Sequence, residues 1–312
     1  MTGKIAELLS LWRSEPQAPH FEEHVRMSEH TTFRAGGPAD VFALPANARE
    51  LGWGIRTCKE REIPYYVMGR GSNILVSDDG FHGVIFHIGE SFSDIRVSGD
   101  VITAGAGVTL TALARTAKNH GLTGLEFAAG IPGSLGGALA MNAGAYGGEM
   151  KDVVTGVQVL DPLSETGVRF MPLDELSMGY RTSRIQTEGL IALGAEMKLK
   201  AGDPAQIEAL MQDLAERRRS KQPLEYPSAG STFKRPEGYF AGKLIQDAGL
   251  SGYSVGGACV SEKHCGFVIN KDHASATDIY LLMKQVQKKV KEVFGVELEP
   301  EVRLLGSFSE NE

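Results

Sequence analysis

EFAAGIPGSLGGALAMNAGAYG, at residues 126–147, is the most informative segment of the chain. Nearly every residue in it is small, so its backbone can lie against a large flat ligand where side chains would clash. Tight helix packing through small residues is the alternative, and it accounts for Gly136–Ala140. It accounts less well for the polar Ser134 and Asn142. Both interpretations stay open at this point.

A second glycine-rich segment, GRGSN at residues 69–73, follows the buried strand predicted at 64–68. Glycines let backbone amides approach a phosphate closely, and short polar residues add donors. No Lys-Ser or Lys-Thr pair follows, so this is not a Walker loop. The strand-like run 74–76 follows instead of a helix, which argues against the dinucleotide-binding fingerprint. A phosphate-binding loop and a plain turn are about equally supported.

Composition limits the class of protein. The length of 312 residues suggests about two domains, or three small ones. The 42% hydrophobic and 23% charged content is ordinary for a globular protein, whereas 38 glycines are well above average. A net charge of −7 disfavours general nucleic-acid binding.

The cysteines are Cys58, Cys259 and Cys265. This odd number, without zinc-type spacing, predicts a reducing compartment and no disulfide framework. No apolar run approaches the length of a membrane span. We therefore expect a cytoplasmic protein without a bound metal.

Two segments combine helical periodicity with clear ends. The segment 203–219 begins at the N-cap candidate Asp203 and closes with three arginines that suit the helix dipole. The segment 275–294 ends at Gly295. Their predicted apolar faces are Ile207, Leu210, Met211 and Leu214 in the first, and Ile279, Leu282, Met283, Val286, Val290 and Val293 in the second.

Three further segments carry side chains suited to catalysis. Arg181 in MGYRTSR is a permanent cation suited to a carboxylate or a developing enolate, although a salt bridge is the simpler interpretation. Ser231 lies between a glycine and a cationic stretch, outside any G-x-S-x-G elbow, and a loop or cap serine is the alternative. Glu301 and Arg303 would share one face of a terminal strand, or form an exposed salt-bridged edge.

The motifs become specific in combination. They run in the order TTFRAGGPAD (31–40), GRGSN (69–73), AGIPGSLGGALAMNAGAYG (129–147), GYRTS (179–183), AGSTFK (229–234) and EPEVR (299–303). This order resembles the UDP-N-acetylenolpyruvoylglucosamine reductase (MurB) family of bacterial cell-wall synthesis, from about residue 20 to the C-terminus. The segment 184–200 enters a strand-like run directly, so the chain resembles the shorter type, which lacks a tyrosine-bearing loop.

The resemblance implies an α+β fold in three domains. Two FAD-binding subdomains of the vanillyl-alcohol oxidase type are expected at 20–83 and 84–200, after a helix and connector at 1–19. A C-terminal α+β substrate-binding domain is expected at 201–312. The implied reaction is the NADPH-dependent reduction of the enolpyruvyl ether of UDP-N-acetylglucosamine to UDP-N-acetylmuramate.

The resemblance also implies which residues bind FAD. Its pyrophosphate would meet the backbone of 69–73, and its isoalloxazine ring would lie along 130–147. The expected cofactor-binding residues are Gly69, Arg70, Gly71, Ser72, Asn73, Gly130, Ile131, Pro132, Gly133, Ser134, Gly136, Gly137, Asn142, Gly144 and Ala145.

By the same resemblance, Ser231 would protonate the substrate, while Arg181 and Glu301 would stabilise charge beside its carboxylate. The cations expected to hold the UDP-sugar are Lys221, Arg235 and Arg303. Lys221 and Lys234 are both candidates for a proton relay to Ser231. Only small-molecule partners are expected, with no nucleic acid or membrane, and a monomer is favoured.

Two other functions stay open. The first is an oxidase of the same FAD-binding superfamily, although the three cysteines lie outside the glycine motifs and disfavour a covalent flavin. The second is a non-catalytic flavin-binding or nucleotide-binding regulator, which would need neither Ser231 nor Glu301.

Overall fold

The computed structural model of the chain describes residues 2–162, 164 and 167–309. The chain divides into two compact units that alternate along the sequence. The first unit comprises Met1–Glu22, Val41–Arg70 and Gly83–Arg218, and the second comprises Glu23–Asp40, Gly71–His82 and Arg219–Glu312.

Helices are interspersed among groups of strands along the chain. Within the described residues the α-helices are α1 (Thr2–Ser14), α2 (Ala48–Glu60), α3 (Leu110–Asn119), α4 (Leu135–Ala140), α5 (Arg184–Thr187), α6 (Pro204–Lys221), α7 (Ala241–Asp247) and α8 (Ala276–Phe294). The strands are β1 (His20–Arg26), β2 (Pro38–Leu44), β3 (Tyr65–Met68), β4 (Ile74–Val76), β5 (Phe81–His87), β6 (Ile95–Ser98), β7 (Val101–Gly105), β8 (Leu122–Thr123), β9 (Gly144–Ala145), β10 (Gly148–Glu149), β11 (Val154–Leu160), β12 (Val168–Pro172), β13 (Ile191–Lys198), β14 (Lys200–Ala201), β15 (Ser254–Val255), β16 (Ala258–Val260), β17 (Val268–Asn270) and β18 (Arg303–Leu305).

A five-stranded antiparallel sheet supports the glycine run in the first unit. Its strand order is β12-β11-β13-β7-β6. Leucines of α3 and α4 join the core on this sheet, and Leu110, Leu113, Leu135 and Leu139 are fully buried. Because α4 is the helical part of 126–147, this core fixes the backbone of the run.

A four-stranded sheet has the order β1-β2-β5-β3, and its β3–β5 pair is parallel. Trp12 of α1 is buried in the adjoining core of the first unit, where its indole N–H donates to Thr57 Oγ1 at 2.9 Å. Strand β3 ends at Met68, so the GRGSN loop leaves directly from this sheet.

The second unit is built around α8. A three-stranded sheet of order β15-β16-β17 belongs to the same unit, in which β18 also pairs in parallel with β4. The hydroxyl of Ser275 accepts from the Asp278 N–H, and Asp78 accepts from the Ala276 and Thr277 N–H groups. Gly295 ends the helix in the left-handed conformation at φ 68°. The N-terminus of α8 is therefore capped by Ser275 and by the distant Asp78, and its C-terminus by Gly295.

The predicted α+β class is confirmed by this mixture of helices and sheets. The division at 20–83, 84–200 and 201–312, after a segment at 1–19, stays a prediction, and the terminal residues 1 and 310–312 lie outside the described residues. No helix in the described ranges has the length and apolar character needed to cross a bilayer.

The predicted apolar faces of the two long helices are buried to different extents. In α8, five of the six predicted residues are buried and Val293 is 48% exposed. In α6, the described core contains only Ile207, and Leu210 is 45% exposed. Met211 of the same stripe is partly buried against the core of the first unit. Periodicity predicts an amphipathic surface, but it does not tell how much of that surface another element covers.

Candidate active site

The start of the GRGSN loop meets the glycine run in the first unit. A Cβ on Gly69 would lie 2.1 Å from Ser134 Oγ. Ser134 is 2% exposed and precedes α4 as its N-cap residue. A side chain at this position would displace the Ser134 hydroxyl, so glycine lets the first residue of the GRGSN loop lie directly against Ser134 of the run.

Two adjacent glycines in α4 have different surroundings. The Gly136 N–H donates to Ala106 O at 2.8 Å, and a Cβ on Gly136 would lie 3.0 Å from Ala106 Cβ. A Cβ on Gly137 would meet no described atom within 4 Å outside its own helix and chain neighbours. Gly136 therefore serves packing, whereas Gly137 is exposed and leaves a face of the run open.

The side chain of Asn142 is used within the protein. It is 1% exposed, and its Nδ2 donates to Glu149 Oε2 at 2.6 Å and to Gly179 O at 3.1 Å. Its Oδ1 accepts from the Lys151 N–H at 2.9 Å. Its φ of 45° lies in the left-handed region, which asparagine adopts more readily than most residues. Asn142 thus fixes the loop's shape, and any part in cofactor binding would be through its backbone.

A tight turn presents Arg181 beside the same run. The Gly179 N–H donates to Thr182 O at 3.0 Å, and Arg181 has φ 54° at the tip. The Arg181 guanidinium lies 5.4 Å from the centre of the Tyr180 ring. Ser183 Oγ donates to Ala140 O, the last residue of α4, at 2.6 Å. The first unit therefore joins the glycine run to the turn that carries Arg181.

In the second unit, Ser231 and Glu301 lie on neighbouring backbone segments. The Glu301 N–H donates to Thr232 O at 2.8 Å. Phe233 and Pro300 form an antiparallel bridge. Ser231 is exposed and Glu301 is partly buried. Two residues from motifs that are separated by about 65 positions of sequence thus belong to one local structure.

Asn73, the last residue of GRGSN, is tied to this structure. Its Nδ2 donates to Glu301 O at 3.0 Å, across 228 positions of sequence. Its own carbonyl accepts from the Arg303 N–H at 3.0 Å. These bonds continue into the β4–β18 pair, where Arg303 is in register with Ile74. Asn73 therefore fixes Glu301 through the backbone.

The predicted cations of the second unit differ in their contacts. Lys234 forms an ion pair with Glu299. Arg235 stacks over the Phe240 ring at 3.9 Å and donates from Nε to Tyr239 O at 3.2 Å. The side chains of Lys221 and Arg303 are exposed.

His264 was missed by the sequence argument. Burial lowers the pKa of its imidazole below the ordinary value. Its Nδ1 accepts from the Gly266 N–H at 3.1 Å, and Gly266 O accepts from the Thr232 N–H at 2.9 Å. This histidine is thus fixed next to the segment that carries Ser231, a proximity for which the local sequence SEKHCGF gives no signal.

Thr32 was also missed as a side chain, although its motif was noted. Its Oγ1 is buried and makes no hydrogen bond to any described residue. Its N–H donates to Gly71 O at 3.2 Å, which puts the hydroxyl beside the GRGSN loop. A buried hydroxyl without a partner is costly, so it indicates a polar ligand atom at this position. In the described ranges, His, Cys, Asp and Glu do not gather in threes that could hold a metal ion.

Comparisons with known proteins agree with this geometry. A model of the UDP-N-acetylenolpyruvoylglucosamine reductase C-terminal domain matches residues 222–305, and an FAD binding domain model matches residues 39–166. A UDP-N-acetylenolpyruvoylglucosamine reductase of Alkaliphilus oremlandii is 50% identical over 280 residues, covering 90% of this chain and 91% of that protein.

The chain belongs to the UDP-N-acetylenolpyruvoylglucosamine reductase family. The member from Agathobacter rectalis is 51% identical over 294 residues, covering 90% of this chain and 93% of its own. A crystal structure of the Thermus caldophilus reductase (MurB) superposes with a TM-score of 0.79 at 34% identity, covering 92% of this chain and 100% of that one. As a MurB family member with an FAD-binding domain, the protein is a flavin-dependent oxidoreductase.

Proposed function

We propose that the protein catalyses the NADPH-dependent reduction of the enolpyruvyl ether of UDP-N-acetylglucosamine, giving UDP-N-acetylmuramate for peptidoglycan precursor synthesis. The observation that carries this proposal is the hydrogen bond from the Glu301 N–H to Thr232 O, next to Ser231. It supports an active site in which Ser231 and Glu301 act on the same substrate. The family membership supports the same conclusion.

The residues present fit FAD. Gly69 and Ser134 approach too closely for any larger residue at position 69, Gly137 leaves the run open, and Thr32 has an unused buried hydroxyl. The FAD-binding residues proposed are the glycine-rich segments 69–73 and 130–145, largely through their backbone amides. Bound FAD supplies the two-electron chemistry that couples NADPH oxidation to substrate reduction.

Ser231 would donate the proton that completes the reduction, to the carbon next to the substrate carboxylate. Negative charge builds up on that carbon and carboxylate beforehand. Preorganised donors aimed at such charge usually supply the largest catalytic contribution. We assign this role to the Arg181 guanidinium and to Glu301, which in its protonated form can donate a hydrogen bond.

The substrate also carries a diphosphate. We propose that Lys221, Arg235 and Arg303 bind it, because permanent or near-permanent cations are the side chains that recognise phosphate. Lys221 and Lys234 both stay candidates for the relay to Ser231, and Lys234 is paired with Glu299. The three cysteines are free and buried, which supports a reducing, cytoplasmic location.

A visible spectrum of the purified protein tests this function. We expect the absorbance of oxidised flavin, its loss on anaerobic addition of NADPH, and its recovery when the enolpyruvyl nucleotide is added. UDP-N-acetylglucosamine, which lacks the enolpyruvyl group, is the matched control and should restore nothing. A flavin that NADPH leaves oxidised would contradict the proposal, and recovery only with oxygen would point to an oxidase.

A further inference from the structure

Arg218, near the end of α6, lies against the first glycine of the run. Its Nη1 donates to Gly130 O. A Cβ on Gly130 would lie 3.2 Å from both Cδ and Nη1 of Arg218. The arginine therefore lies along the backbone at the position where 130–137 begins. In the sequence, Arg218 is one of three consecutive arginines that close a helix.

The charge of Arg218 is not balanced by a carboxylate. Burial lowers the pKa of its guanidinium, and the phenol of Tyr146 is the group that acts electrostatically in the other direction. Among the described residues, no Asp or Glu forms an ion pair with it. The preceding Arg217, in contrast, is exposed and paired with Asp213 at 2.8 Å. Arg218 is half-buried, and a half-buried cation without a carboxylate partner is a candidate for binding an anionic ligand.

We propose that Arg218 binds a phosphoryl group of a nucleotide at the Gly130 end of the glycine run. A planar guanidinium has five N–H donors in a fork that matches phosphate oxygens. One donor is used by Gly130 O, and the others are available to a ligand. Tyr146, which is 44% exposed at the tip of the β9–β10 hairpin, is near enough to act on the pKa of Arg218.

This inference rests on the proposed function, because FAD, NADPH and the UDP-sugar are the phosphate-bearing ligands of that reaction. A phosphoryl group is common to all three ligands, so the experiment must measure the binding of each one separately. The substrate carboxylate is the other anion in the reaction, and it is already assigned to Arg181 and Glu301. A phosphoryl group is therefore the anion left for Arg218.

The test compares R218Q and R218K with the control R217Q, which removes a paired, exposed charge from the same helix. Retention of FAD is measured by flavin fluorescence after dilution of the loaded protein. Binding of NADP⁺ and of UDP is measured by titration of the flavin spectrum. We expect R218Q to weaken at least one of these ligands, but not all three, by about 10- to 100-fold. R218K should lose less, and R217Q should stay within about twofold of the wild type.

Two results would overturn the proposal. One is unchanged affinity for all three ligands in both Arg218 variants. The other is an equal loss for all three with a lowered Tm that R218K does not restore, because Arg218 would then only brace Gly130. If NADPH fails to reduce the wild-type flavin, the proposed function fails by itself. The difference between wild type and R218Q in binding UDP or inorganic pyrophosphate, followed by calorimetry, still decides the role of Arg218.

Discussion

The two predicted ligand-binding regions are built in opposite ways. In the first unit, the segment 130–137 and Gly69 would bind a ligand through their backbone, and the Gly69–Ser134 approach shows how little room there is for a larger side chain. In the second unit, Ser231 and Glu301 would act through their functional groups, which two hydrogen-bonded backbone segments hold in place. Substitutions should therefore harm the first region by adding atoms and the second by removing them.

The largest effect is expected from Ser231→Ala. If Ser231 is the proton donor, its loss should slow reoxidation of the flavin by the enolpyruvyl nucleotide by about 10²–10⁴-fold. Reduction by NADPH needs no proton from Ser231 and should stay near normal. Stopped-flow measurement of the two half-reactions separates these steps.

Ser228→Ala is the matched control, because Ser228 lies three residues earlier and its described contact is a backbone bridge to Ile269. It should leave both half-reactions unchanged. Equal slowing of both half-reactions in the Ser231 variant would remove the proton-donor role. The second region would then no longer be distinguished from the first by a side chain that takes part in the reaction.

Asn142→Ala tests whether the first region also depends on a side chain. The substitution removes three hydrogen bonds from a buried site, each worth about 1 kcal/mol. We expect a clear fall in the free energy of unfolding, followed by urea titration. Since Gly179 O loses its donor, the Arg181 turn should also loosen, and the KM for the enolpyruvyl nucleotide should rise.

The exposed Asn119, at the end of α3, provides a control of the same residue type. Asn119→Ala should leave both the unfolding free energy and the KM near those of the wild type. An Asn142 variant that is as stable as the wild type would show that the loop is held by its backbone alone.

A pair of adjacent substitutions sharpens the comparison within α4. Gly136→Ala adds a methyl group 3.0 Å from Ala106 Cβ and should lower stability by about 1–3 kcal/mol through overpacking. Gly137→Ala meets open space and should raise the stability of the FAD-free protein by about 0.5–1 kcal/mol. If the flavin lies on this face, the same methyl group should weaken FAD binding.

The measurements are urea unfolding without FAD and flavin release on dilution. For the Gly137 variant we expect higher stability without FAD but faster release of FAD. A Gly137 variant that binds FAD as tightly as the wild type would show that the cofactor does not lie on this part of the run.

Local chemistry explains what the sequence allowed us to predict. The ends of α8 follow from Ser275 and Gly295, and the glycine-rich segments are recognisable because few sequences tolerate so many small residues. The candidate residues Ser231 and Glu301 came from motif resemblance rather than from any local rule. Their pairing through Thr232 depends on tertiary structure and has no pattern of its own.

The remaining features were hidden for physical reasons. Asn142 looks like a polar ligand in the sequence, but its hydrogen-bonding groups are used within the protein. The hydrogen bond between Asn73 and Glu301 crosses 228 positions. The partial burial of Arg218 and His264 and their contacts with backbone groups come from tertiary structure, which leaves no pattern in the local sequence.

The smallest predicted effect concerns the pH dependence of stability and His264 in the second region. Because burial lowers the folded-state pKa of this imidazole below its unfolded value of about 6.5, the unfolded chain binds the extra proton first. Its contribution to stability is therefore complete above about pH 6.5 and is lost as the pH falls through the folded pKa. His264→Gln should flatten the fall of Tm between about pH 7.5 and pH 5.5. His20→Gln, at an exposed histidine, should leave that slope unchanged. An unchanged slope of Tm against pH in the His264 variant would mean that this imidazole is exposed to water in solution. The segment next to Ser231 would then also be more accessible to water than the burial of His264 indicates.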